Sequence, residues 1–284
     1  MGPRRSTLSR TVVLMFCGLL AAGCGVFPEA PAQDDRQSDG DHSDHDAAHS
    51  GSVPQRYDVE VLETRPHDPD AFTQGFEIAG DILYEGTGLV GRSSLRATDP
   101  VTGEVLDQVD LPSPLFGEGI TVVDDRVWQL TWQNNVALLR DRDTLAELDR
   151  FEYPGEGWGI CHDGTRLVMS DGTDQLQFRD PESFALLGSV RVRQEGEPRH
   201  QLNELECVDG QVWSNVWFSD DILRIDPDSG EVTGVVDATG LLPPEQRPGA
   251  DVLNGIAAIP DTDEFLLTGK HWPSTFRVRF VPSE

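Results

Sequence analysis

Positive charge is scarce: 22 Lys and Arg stand against 50 Asp and Glu, for a net charge of −28. Nucleic acid and anionic lipid surfaces both require basic patches, so neither is an expected partner. Cysteine is scarce too, at four residues, and two of these, Cys17 and Cys24, fall in the N-terminal segment. Cys161 and Cys207 alone cannot make a cysteine metal cluster. The apolar run Thr11–Ala22 is too short to span a bilayer comfortably, and helical periodicity is weak throughout.

The N-terminus reads as a processing segment. Arg4, Arg5 and Arg10 precede the apolar run, which ends in Leu20-Ala-Ala-Gly-Cys24, small residues leading to a cysteine. Residues 1–24 are therefore expected to be a lipoprotein signal peptide, with Cys24 lipidated. Ordinary cleavage nearby would instead leave a soluble secreted protein. Residues 25–54 are polar and acidic, and bury too little to offset ordering entropy, so a disordered linker is expected. His42, His45 and His49 alternate there with Asp41, Asp44 and Asp46, but nothing fixes a ligand geometry and a solvated spacer is the reading. Residues 55–284 are long enough for one substantial core. The expected protein is exported, held on the extracytoplasmic side of the cell membrane by lipid alone, and monomeric.

Self-similarity at roughly 40 to 50 residues sets the architecture. An element of polar start, strand, tight turn and strand begins at Phe72, Phe116, Glu156, Leu202 and Val252. Between copies lies a second hairpin, with Asp99-Pro-Val-Thr-Gly-Glu and Asp226-Pro-Asp-Ser-Gly-Glu as its turns; proline presets φ there and glycine takes positive φ. Two hairpins make a four-stranded blade, so an all-β, five-bladed β-propeller of antiparallel blades is predicted. The last repeat is short of a strand, and Tyr57 to Glu63 is expected to close it, which removes exposed edges.

Aligned on their first strands, the copies superpose Gln74, Glu118, Trp158, Glu204 and Asn254. The ends of the second strands superpose Gly88, Trp132, Gly172, Trp217 and Lys270. Equivalent positions ring the axis at one end, which predicts a polar pocket with aromatic walls and one cation. Each residue also has a plainer reading: tryptophan packs between blades, Gly-Glu-Gly makes a turn, asparagine caps a strand and lysine faces solvent. Cys161 and Cys207 fall at equivalent positions of adjacent repeats. Such atoms can lie beyond the roughly 7 Å limit for bridging, so two buried free thiols are expected rather than a disulfide.

Phe72-Thr-Gln-Gly, Tyr84-Glu-Gly-Thr-Gly, Phe116-Gly-Glu-Gly, Gly157-Trp-Gly, Leu202-Asn-Glu-Leu-Glu, Asn215-Val-Trp, Asp251-Val-Leu-Asn-Gly-Ile-Ala and Thr268-Gly-Lys-His-Trp-Pro follow one another in order. Together they resemble the plant and bacterial type of glutaminyl cyclase (glutaminyl-peptide cyclotransferase), the papaya-latex kind. The resemblance covers the chain from Tyr57 onward. It implies a five-bladed propeller without a catalytic metal, in which Glu118 is the catalytic acid and base. It places Phe72, Gln74, Trp132, Trp158, Asn203, Trp217 and Lys270 at the other active-site positions. Read from the residues themselves, Glu85, Glu204 and Asn254 are second-line candidates. The implied reaction turns an N-terminal Gln of a peptide or protein into pyroglutamate and ammonia, and needs no cofactor. Lys270, Asn203 and Gln74 are all candidate donors to the carbonyl oxygen. Two other readings stand beside it. One is a non-catalytic peptide-binding propeller. The other is a calcium-dependent, lactonase-like hydrolase, in which Glu118, Glu204 and Asn254 would form the calcium ring.

Overall fold

The computed structural model describes residues 52–284; the signal peptide, Cys24 and nearly all of the acidic linker lie outside the described residues. Blade 1 comprises Thr73–Ala79, Ile82–Thr87, Ser94–Thr98 and Val105–Asp110, in that order from the axis outward. Blade 2 comprises Gly117–Val123, Arg126–Thr131, Val136–Asp141 and Glu147–Glu152. Blade 3 is shorter: Ile160–His162, Leu167–Met169, Gln175–Arg179 and Leu186–Arg191. Blade 4 runs Leu202–Val208, Gln211–Val216, Asp221–Ile225 and Val232–Asp237. In blade 5, Leu253–Ala258, Glu264–Gly269 and Ser274–Pro282 are completed by the N-terminal strand Gln55–Pro66. The five-bladed propeller is thus present.

The closing strand does more than fill the last blade. It pairs antiparallel with Ser274–Pro282 and, along Gln55 to Asp58, parallel with Gly234 to Asp237 of blade 4. Blades 4 and 5 therefore merge into one eight-stranded sheet, and neither presents a free outer edge along the paired segment.

Burial follows position in the blade. Inner strands are almost wholly buried, and outer ones such as Val105–Asp110 and Glu147–Glu152 are largely exposed. Aromatic side chains fill the seams. Trp128 packs on Phe184 between blades 2 and 3 (ring centroids 4.9 Å apart), and Trp213 on Phe265 between blades 4 and 5 (5.4 Å). Close approach at the axis demands glycine: a Cβ on Gly119 would lie 2.7 Å from the Trp158 carbonyl oxygen.

Strand pairing corrects the repeat alignment in blade 4. Leu202 pairs with Val216 and Leu205 with Ser214, as Gly117 pairs with Thr131 and Ile120 with Gln129 in blade 2. The equivalent of Glu118 is therefore Asn203, and Glu204 stands where blades 1, 2 and 3 have Gly75, Gly119 and Gly159. The same offset overturns the expectation of two free thiols. Cys161 and Cys207 form a disulfide with Cα atoms 5.4 Å apart, inside the bridging range. Successive side chains of a strand alternate in direction. Being one position out of register, Cys161 points toward blade 4 and Cys207 back toward blade 3.

Candidate active site

The register places one side chain per blade at the axial mouth: Gln74, Glu118, Trp158, Asn203 and, deeper, Asn254. The outer ring is set by a repeated backbone bond. The amides of Gly88, Trp132, Trp217 and Lys270 donate to the carbonyls of Phe72, Phe116, Gln201 and Val252 at 2.8–3.0 Å. In blade 3 the corresponding residue is Gly172, with φ of +79°, and a Cβ there would collide with the Trp158 indole at 2.7 Å. Glycine makes room for the ring.

These rings enclose a cavity of about 280 Å³, near the small end of ligand sites and suited to a single residue. Glu118, Gln74, Asn203 and Lys270 supply its polar groups, and Phe72, Trp132, Trp158 and Trp217 most of its wall. Phe116, Phe218 and Asp251 also line it. Lys270 Nζ lies 4.8 Å from the centre of the Phe72 ring, a favourable cation–π contact.

Glu118 is only 4% exposed and accepts a hydrogen bond from Gln74 Nε2 at 2.9 Å. Burial pushes its carboxyl well above the usual range; the Lys270 charge pulls the other way and Glu156 pushes further up. Burial conversely lowers the Lys270 ammonium, which Glu118 and Asp251 partly restore. Among the described residues, neither Lys270 Nζ nor the Asn203 carboxamide has a hydrogen-bond partner, so both face the cavity as free donors. Lys270 is also the one lysine in the sequence. Every other basic side chain of Lys or Arg type is arginine, which cannot give up its proton.

The second-line candidates fall outside the cavity wall. Asn254 is fully buried, and its Nδ2 donates to Thr73 O (3.0 Å) and to Gln74 Oε1 (3.4 Å). That contact turns the Gln74 amide so that its NH₂ meets Glu118. Glu204 accepts the Ile256 amide at 2.9 Å between blades 4 and 5. Glu85 lies in a separate ionic cluster, accepting from Thr73 Oγ1 (2.7 Å), from His67 and from Arg96. Glu204 accordingly lies outside the ring that holds Glu118 and Asn254. No three His, Cys, Asp or Glu side chains are grouped to hold a metal among the described residues.

Glu156 was missed. It accepts from Trp132 Nε1 (2.7 Å), Trp158 Nε1 (2.9 Å) and Gln133 Nε2 (2.8 Å). A signal existed: Glu156 occupies the column that holds Phe72 and Phe116, a charge where two other blades have an aromatic ring. Phe116 was equally legible as the counterpart of Phe72, whereas Phe218 and Asp251 merely adjoin or open recognised motifs.

A propeller whose mouth narrows onto a buried carboxylate and a buried ammonium, inside an aromatic wall, has the form of a site for a small ligand with a polar end and an apolar stem. A family model described as Glutamine cyclotransferase matches residues 38–280. The chain is 41% identical over 230 residues to a glutaminyl-peptide cyclotransferase of Arabidopsis thaliana, covering 78% of this chain and 71% of that one. It superposes on the crystal structure of Myxococcus xanthus glutaminyl cyclase with a TM-score of 0.76 at 34% identity, over 81% of this chain and 100% of that one. The chain belongs to the glutamine cyclotransferase family of plant and bacterial type.

Proposed function

We propose that Glu118 carries one proton between two nitrogens while an N-terminal glutamine closes on itself. The chain is a glutaminyl-peptide cyclotransferase, and the substrates are peptides or proteins that begin with Gln. The neutral α-amine attacks the γ-carboxamide carbon, forming the ring C–N bond and placing negative charge on the carbonyl oxygen. Glu118, as carboxylate, takes the proton that the attacking nitrogen sheds and hands it to the amide nitrogen. The bond to that nitrogen breaks, ammonia leaves and pyroglutamate remains.

Both reacting groups belong to one residue, so catalysis depends on freezing one rotamer and stabilising one charge. Phe72, Trp132, Trp158 and Trp217 hold the aliphatic stem and exclude water that would divert the amide to hydrolysis. Gln74 is committed to Glu118, which leaves Lys270 Nζ and the Asn203 amide as the donors to the oxyanion. The raised proton affinity of Glu118 brings it nearer that of the amine, which suits transfer in both directions. The observation that carries this reading is the pair of buried, opposite charges at the closed end of a cavity sized for one residue. Ammonia release from a Gln-initiated dipeptide, with the product identified by the loss of one ammonia in mass, tests it. A folded protein that binds the dipeptide without product would instead be a peptide-binding propeller.

We also infer that Cys24 is the lipidated first residue of the mature chain and that residues 25–54 tether a monomeric propeller outside the cytoplasm. The Cys161–Cys207 disulfide supports export, because such bonds persist in oxidising compartments. Cys24→Ala should move the protein from the membrane fraction to the soluble one; membrane retention by the variant would refute the anchor.

A further inference from the structure

Two of the four tryptophan and phenylalanine side chains that wall the substrate stem are tied to one carboxylate. Trp132 comes from the end of a blade 2 strand and is 37% exposed, so packing alone holds it weakly. Trp158 comes from the axial mouth of blade 3. Both indole N–H groups donate to the same oxygen of Glu156, Oε2, at 2.7 and 2.9 Å. The other oxygen, Oε1, takes Gln133 Nε2 at 2.8 Å. Three donors from two blades therefore converge on a side chain in the linker that joins those blades. Hydrogen bonds to an ionised acceptor are roughly twice as strong as neutral ones, and a shared acceptor fixes the two rings relative to each other.

We propose that Glu156 is a positioning residue for the cyclisation: it braces Trp132 against Trp158 to hold the stem-binding slot open at the right width. The role follows from the three hydrogen bonds and rests on the cyclisation reading. Three donors keep the Glu156 carboxyl ionised, offsetting its partial burial, and an ionised acceptor is what makes the brace strong.

Two variants test the brace. Glu156→Gln keeps an acceptor oxygen for the indoles, and Gln133 can turn its amide to match the new NH₂, so the brace survives. Glu156→Ala removes it. In the full-length protein acting on a Gln-initiated dipeptide, Glu156→Ala should raise KM about tenfold with kcat within about twofold, and should alter tryptophan emission. Glu156→Gln should keep KM within about twofold of wild type. An unchanged KM in the Ala variant, or equal KM increases in both variants, would overturn the brace. The KM comparison assumes nothing about Glu118, so its failure is distinguishable from a failure of the Glu118 assignment.

Discussion

The disulfide offers a stability prediction whose size can be worked out. Cys161 and Cys207 are separated by 46 residues and cross-link the innermost strands of blades 3 and 4. In the chain-entropy model, closing a loop of that length removes about 13 cal/mol/K from the unfolded chain, or about 4 kcal/mol at 25 °C. For a domain of this size each kcal/mol moves the thermal midpoint by about 2–4 °C, so removing the bridge should lower it by about 8–16 °C. The assay is scanning calorimetry of the wild type and of Cys161→Ala/Cys207→Ala, with the wild type repeated in reductant. Turnover at 25 °C should be retained, because neither sulfur lines the cavity and the strand Gln55–Pro66 still joins blades 4 and 5. A midpoint drop below about 2 °C would refute the reasoning. So would loss of turnover with the midpoint intact, which would mean that the bridge shapes the site.

Lys270→Arg keeps a positive charge but not its size or its capacity to lose a proton, and should cost about 10²–10³ in kcat, measured as ammonia release. An amine-acylating reagent at neutral pH should abolish turnover by modifying one side chain, with protection by substrate. Asn254→Asp offers Gln74 an acceptor instead of a donor, so the Gln74 amide should turn and leave Glu118 without its hydrogen bond. The expected loss is about ten- to a hundredfold in kcat/KM, with Asn254→Ala intermediate. Glu85 is buried, which alone would raise its carboxyl, yet His67 and Arg96 hold it at about 2 against an ordinary 4.5. A depressed carboxyl stabilises the fold above its unfolded pKa and loses that contribution as pH falls. Acid unfolding between pH 4.5 and about 2 should therefore show a term of about 3 kcal/mol that Glu85→Gln lacks.

Repeats made the propeller legible, because each blade carries the same strand–turn–strand signal and the Asp-Pro turns have a backbone reason. The strand Gln55–Pro66 was legible as the missing edge of blade 5, but its parallel pairing with blade 4 was not, since parallel neighbours need no turn between them. Blade 4 misled. Blades 1, 2 and 3 all place a glycine directly after the ring residue, and Leu202-Asn-Glu-Leu-Glu has none to mark the register. Alignment alone therefore puts Glu204 in the ring and makes the two cysteines equivalent. Most of the cavity was readable from the two rings of repeat positions. The ionic cluster of Glu85 was not: Arg96 faces it across a strand pair within blade 1, but His67 reaches it only from the end of the strand that closes blade 5. Glu156 was readable in principle, as the one charge in a column where blades 1 and 2 have phenylalanine.

The central claim, a buried carboxylate kept for proton transfer at a cost to the fold, is tested most directly by Glu118→Gln measured twice on one preparation. The raised carboxyl makes its ionisation unfavourable in the folded state, so the wild type loses stability as pH rises from 4.5 through the folded pKa, and the variant does not. Turnover of a Gln-initiated dipeptide should fall at least about a hundredfold. The thermal midpoint of the variant should meet or exceed that of the wild type, by a margin that widens as pH rises above 4.5. Retained turnover, or a variant less stable than wild type across that range, would contradict the account.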